Sequence, residues 1–203
     1  MPGDLSREGA AAEVVREAAR RLGGLDTLVY VPPPPPSGGF FQVSMEEWRL
    51  SYRLLVEAPI EAVREAVPLL EASNRSPSIV FVTSLAAWEP LASIATSSVL
   101  RPALHGLTVL LARELGPRGI RVNAVVPGLF MTDRLLEVAR IRAEATGSSV
   151  EEALEEMGRQ ASLGRVGDPE EIGWTVAFLA SPRASYVTGA LVAVTGGRHV
   201  SIR

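Results

Sequence analysis

The sequence predicts an α/β protein, a mostly parallel sheet with helices on both faces. Two observations carry this. Short apolar runs occur at 25–31, 77–84, 121–126 and 190–194, and their hydrophobicity is nearly continuous rather than alternating, as in strands covered on both sides. Helical-period stretches separate these runs, and each is long enough to cross over a sheet. With 203 residues the chain can bury one fair-sized core but not comfortably two, so one domain over 1–203 is expected.

The elements follow in order. Ser6 is placed to cap a first helix whose apolar stripe is Val14, Val15, Ala18, Ala19 and Leu22, stopped by Gly23-Gly24. The strand "LDTLVYV" follows at 25–31. Pro32 to Pro36 and then Gly38-Gly39 form a stiff segment without backbone donors, which reads as a rigid loop at the carboxyl end of that strand. Ser44-Met45-Glu46-Glu47 is a capping-box pattern opening a helical stretch to about residue 72, which Pro59 and Pro68 should bend or divide. "PSIVFVTS" is the second strand. Leu104, Leu107, Thr108, Leu111 and Leu115 mark a helix closed by Gly116-Pro117, and "RVNAVV" is the third strand. The stretch 133–160 reads as amphipathic helices split by "TGSS". Asp168, with Pro169 at the first helical position, caps a helix to about Ala180, before the last strand "ALVAV" and Gly196-Gly197.

Composition removes several classes of function. The chain has no cysteine, so disulfides, thiolate catalysis and cysteine metal sites are excluded. Its two histidines, His105 and His199, lie 94 positions apart, and no metal site is expected. A net charge of −3 with arginines scattered among acids gives no footprint for nucleic acid or anionic lipid. No span of 18 apolar residues occurs and "MPGDLSREG" carries no apolar signal region, so no membrane partner and a cytoplasmic location are expected.

The segments "GDLSRE", "LGGLDTLV", "EEW", "SIVFVTS", "LARELGPRGIRVNAVVPG" and "LGRVGDPEEIGWTVAFLASPRASYVTGALVAVTGG", in this order, carry a resemblance. The chain resembles the short-chain dehydrogenase/reductase family, whose members are NAD(P)-dependent oxidoreductases. The resemblance implies an incomplete Rossmann-like parallel sheet of about four strands, lacking the first βαβα unit. In the family that unit carries the glycine turn that lets backbone N–H groups approach the cofactor pyrophosphate. No G-x-x-x-G-x-G or G-x-G-x-x-G opens a helix after a strand within residues 1–203, so no cofactor is expected on this stretch. An upstream extension with that strand and turn would restore NAD or NADP binding.

By the same resemblance, Asp4 matches the aspartate that meets the adenine ring, and Thr132 the threonine that touches the nicotinamide amide. The asparagine-alanine-glycine loop falls on Tyr30 to Pro33, and the helix asparagine on Leu55. Ser84 matches the serine that orients the substrate carbonyl. Thirteen residues on, the tyrosine position holds Ser97, and four later the lysine position holds Arg101. A phenol of pKa about 10, lowered by a nearby ammonium, exchanges a proton with a developing alkoxide; an aliphatic hydroxyl is a far poorer acid. Ser97 is also shorter by a ring, and a misplacement of about 1 Å costs roughly 10²-fold in rate. Pro102 should kink the turn or start the helix, so Arg101 need not point where the lysine does. Tyr30 and Tyr52 are candidate stand-in phenols or packing residues, His105 a core or interface residue, Thr188 and Gly189 turn geometry.

Three readings follow: a degenerate homologue with a structural, regulatory or small-ligand-binding role; an oxidoreductase whose N-terminus is missing or misassigned; and a cofactor-independent enzyme. In the third, Ser84, Ser97 and Arg101 cradle a small anion or carbonyl, with some likeness to halohydrin dehalogenases, although the tyrosine those enzymes need is absent. The resemblance also implies a homo-oligomer, a dimer or tetramer, through the helices at 45–72 and 97–115. Strand 25–31 would present an exposed edge for the N-terminal helix, the proline loop or a second copy to cover.

Overall fold

The computed structural model describes residues 3–199. Four strands, β1 (Thr27–Tyr30), β2 (Ser78–Val82), β3 (Arg121–Pro127) and β4 (Leu191–Val194), form one parallel sheet in the order β1-β2-β3-β4. All four predicted strands are present, and each successive pair is joined by a crossover.

Side chains alternate across the pleat and so feed two cores. Ile79 and Phe81 of β2 and Val122 and Ala124 of β3 meet α1 (Ala10–Leu22), α3 (Ala58–Glu71) and α5 (Pro102–Leu115) on one face. Val80 and Val125 meet Leu179, Ile172 and Val176 of α8 (Pro169–Ala180) on the other. A satellite core joins α6 (Asp133–Thr146) to α7 (Val150–Gly158) through Leu135, Ala139, Ala143, Ala153 and Met157.

Local chemistry fixes most helix starts. Capping boxes open α2 (Met45–Tyr52) from Ser44, α7 from Ser149 and α8 from Asp168. The first helix departs from expectation: it starts at Ala10 after Gly9 in the left-handed region (φ 77°), while Ser6 turns its N–H and hydroxyl onto Asp4. The 45–72 stretch is divided by a π-helical turn, Arg53–Glu57, rather than by a simple bend. Pro59 has no N–H for the carbonyl of Leu55, and the wider turn absorbs that loss. Pro68 is accommodated inside α3. The terminator after α5 is Gly119 (φ 76°), one turn beyond Gly116-Pro117.

β1 is hydrogen-bonded only to β2 among the described residues, and Val29 and Val31 stand 41% and 62% exposed. The N-terminal helix lies on α3, and the proline loop is carried across the strand ends to the segment before α4 (Ala95–Leu100), where Gly38 bridges Ile94. Neither pairs with the β1 edge. Among the described residues no helix is long and apolar enough to cross a membrane, and no group of three or more metal-ligating side chains assembles.

Candidate functional site

Parallel sheets open at the carboxyl ends of their strands, and here those ends bring Tyr30, Thr83-Ser84 and Pro127-Gly128 together. Over them α4 lays Ser97 and Arg101, one helical turn apart. Pro102 divides α4 from α5 without unwinding the chain: Arg101 keeps helical angles (φ −65°, ψ −27°) and donates its N–H to Ser97 at 3.0 Å. Its side chain therefore swings inward to the end of β2, where Nη1 donates to the Thr83 carbonyl at 2.9 Å. Nε reaches the Ser97 hydroxyl at 3.5 Å, a weak contact. No carboxylate lies within ion-pair distance of Arg101 among the described residues, and burial pushes the guanidinium down to about 10.

Ser97 is buried, and its hydroxyl proton meets no acceptor among the described residues. Ser84 is half-buried and caps the short turn Leu85–Ala87 by accepting the Ala86 N–H at 3.1 Å. Ser97 and Arg101 are thus in contact; Ser84 adjoins them through Thr83 and bonds to neither.

The other predicted positions are occupied with local tasks. Tyr30 is buried against Phe81 and donates its phenol to the Leu54 carbonyl at 3.1 Å, a carbonyl of the π turn; burial raises its ionisation well above the usual phenol range. It is a packing residue with a satisfied donor, and Tyr52, half exposed on α2, lies outside the site. Leu55 is fully buried in the π turn. Thr132 caps α6 by accepting the Leu135 N–H at 3.3 Å. Asp4 is exposed, and the hydroxyl and N–H of Ser6 hold its carboxyl below the usual range. Thr188 accepts the Val122 N–H at 3.1 Å and Gly189 takes φ 73°, so both shape the turn into β4.

One cluster escaped sequence reasoning. His105 on α5 bonds the Thr83 hydroxyl through Nε2 at 2.9 Å, and that hydroxyl donates to the Val125 carbonyl. Thr83 has one proton, so Nε2 carries a hydrogen and donates it; the pKa lowered by burial keeps the ring neutral at pH 7. Burial lowers its pKa to about 4. Trp88 tilts on His105 (5.5 Å) and stacks on His199 (4.6 Å), whose Nδ1 meets Glu89 at 2.6 Å. Partners 94 and 110 positions apart leave no local signal. A neutral His105 sets no like charge against Arg101, one helical turn before it.

A dinucleotide does not fit the residues present. None of the strand-to-helix turns among the described residues carries the glycine pattern that would cradle a pyrophosphate. Gly128 serves packing instead, since a Cβ there would lie 2.9 Å from the Thr195 Cα. Thr132 caps a helix and Arg101 is turned onto Thr83.

The parallel sheet with helices on both faces is a Rossmann-like α/β fold, and comparison with known proteins agrees. The family model described as Enoyl-(Acyl carrier protein) reductase matches residues 1–199. The uncharacterized oxidoreductase YghA of Escherichia coli K12 is 29% identical over 201 residues, 98% of this chain and 64% of its own length. Human dehydrogenase/reductase SDR family member 4 is 36% identical over 187 residues, 91% of this chain and 63% of its length. The chain therefore spans a little under two thirds of these curated relatives. L-Sorbose reductase of Gluconobacter frateurii, solved with NADPH and L-sorbose, superposes with a TM-score of 0.91 at 27% identity, over 98% of this chain and 76% of that one. An NADPH-bound short chain oxidoreductase of Pseudomonas aeruginosa PAO1 with an atypical catalytic center gives 0.84 at 29%, over 98% and 76%. The chain belongs to the short-chain dehydrogenase/reductase family.

Proposed function

We propose that this chain is a degenerate short-chain dehydrogenase/reductase homologue without NAD(P)-dependent reductase activity of its own, with a structural, regulatory or small-ligand-binding role. The observation that carries the reading is the pair at the proton-transfer position. Ser97 is a buried aliphatic hydroxyl whose one side-chain hydrogen bond among the described residues is from Nε of Arg101, and Arg101 is tied to Thr83. Ser97 supplies no proton at a pKa suited to an alkoxide, and the Arg101 guanidinium is directed onto a backbone carbonyl. Tyr30 does not replace the phenol, because its proton is committed to Leu54.

Calorimetric titration of the 203-residue chain with NAD and with NADP tests this, together with a carbonyl-reduction assay. No binding and no turnover are expected. Micromolar binding of either dinucleotide with hydride transfer overturns the reading.

The second reading is an oxidoreductase whose cofactor-binding unit lies outside these residues. Two facts favour it: the matched relatives are longer, and a relative described as having an atypical catalytic center is described as NADPH-bound. An in-frame upstream extension of about 45 residues with a strand and a glycine-rich turn would supply the site at the helix N-terminus.

A homo-oligomer through the two long helical stretches belongs to the same proposal. Met45, Leu50, Tyr52 and Ile60 on the first and Val99, Val109 and Leu110 on the second are all more than a third exposed, a density of apolar surface that favours association.

A further inference from the structure

We propose that Arg101, with Ser97 and Ser84, forms a binding site for a small carboxylate. The starting point is a donor surplus. A guanidinium has five N–H groups. Two find partners here, one well placed on the Thr83 carbonyl and one weakly on Ser97. The hydroxyl protons of Ser97 and Ser84 have no acceptor among the described residues, because each oxygen is engaged only as an acceptor. The site therefore offers donors from three side chains and no anion to receive them.

The charge makes this surplus costly. Arg53 and Arg121, which expose less of their surface than Arg101, meet several acceptors, Glu57 and Glu61 for the first and backbone carbonyls from Ser76 to Ala184 for the second, although each keeps one buried Nε unpaired. Arg101 has one good carbonyl and no acid, and burial already weakens its hold on a proton. The nearest titratable neighbours do not offset the charge. His105, one turn along α5, is neutral, and the Tyr30 phenol is protonated. An anion entering here meets a cation that no acid compensates and whose side chain is left partly open.

Geometry selects the class of anion. A planar fork with a hydroxyl on one flank presents donors to two separate oxygens in one plane, the arrangement a carboxylate accepts and a spherical halide does not exploit. The inference rests on the proposed reading only in assigning a ligand to the small-ligand role. It stands or falls separately, since dinucleotide titration does not report on it.

The test uses the 203-residue chain, dialysed into a buffer without carboxylates and titrated with sodium acetate at constant ionic strength, followed by calorimetry and melting temperature. Sodium chloride and inorganic phosphate are titrated in parallel. Acetate should saturate with a Kd of about millimolar order and raise the melting temperature. Arg101→Gln should weaken acetate at least tenfold, Ser97→Ala severalfold, and exposed Arg140→Gln not at all; circular dichroism checks that each variant is folded. Ser97→Ala keeps the test decisive if Arg101→Gln does not fold. No saturable acetate binding, equal binding of chloride or phosphate, or full acetate affinity in both Arg101→Gln and Ser97→Ala overturns the assignment.

Discussion

The phenol of Tyr30 donates at 3.1 Å to the backbone carbonyl of Leu54, joining the end of β1 to the π turn between α2 and α3. The turn frees a carbonyl that regular helix would have used, and the tyrosine supplies a buried donor for it. Tyr30→Phe leaves that carbonyl unsatisfied and should cost about 1–2 kcal/mol of stability in urea unfolding, with the fold retained. Loss of more than twice that amount would mean that the phenol supports more than this one bond.

His105 should make the protein acid-sensitive in a defined window. Its folded pKa of about 4 lies below the unfolded 6.5, so the neutral ring favours the native state above pH 6.5, and that contribution is lost as the pH falls through about 4. His105→Gln should flatten this part of the stability profile, a difference of roughly 2 kcal/mol between pH 7 and pH 4 after allowance for carboxylates common to both proteins. Parallel profiles for the two proteins would disprove the burial of a neutral imidazole.

Arg121 closes the carboxyl end of α8. Its guanidinium donates to the carbonyls of Leu179, Ala184 and Ser181 at 2.6, 3.2 and 3.2 Å. Arg121→Met removes these donors, leaving the Leu179 carbonyl without its partner while Ser181 and Ala184 keep a backbone N–H each, and should cost about 1–3 kcal/mol, measured by chemical denaturation. Arg121→Lys should recover only part, because one ammonium does not span the same set.

Leu110, half exposed on α5, reports on assembly. Leu110→Glu places a charge on the proposed helix–helix contact and should lower the solution mass toward that of a single chain, about 21.6 kDa, in light scattering. An unchanged mass with an intact fold would move the contact elsewhere, with the apolar edge of β1 the next surface to mutate.

Much of the fold was legible in the sequence because its signals are local. Strands buried on both faces read as bare apolar runs, and Ser44 and Asp168 announced their helices through acids placed to answer them. The misplaced boundaries have equally local causes. Ser6 found a nearer partner in Asp4 than the helix N-terminus, and the effect of Pro59 appeared one turn upstream as a π turn.

The site divides differently. Sequence alone determined which side chains stand over the strand ends, a serine and an arginine where the family has a phenol and an amine. Only the tertiary structure decided where they point. Arg101 turns onto Thr83, Tyr30 spends its proton on Leu54, and two histidines 94 positions apart meet on one tryptophan. Residue type fixes the capacity to donate or accept, whereas the partner is set by packing between segments far apart in the chain, which no local pattern encodes.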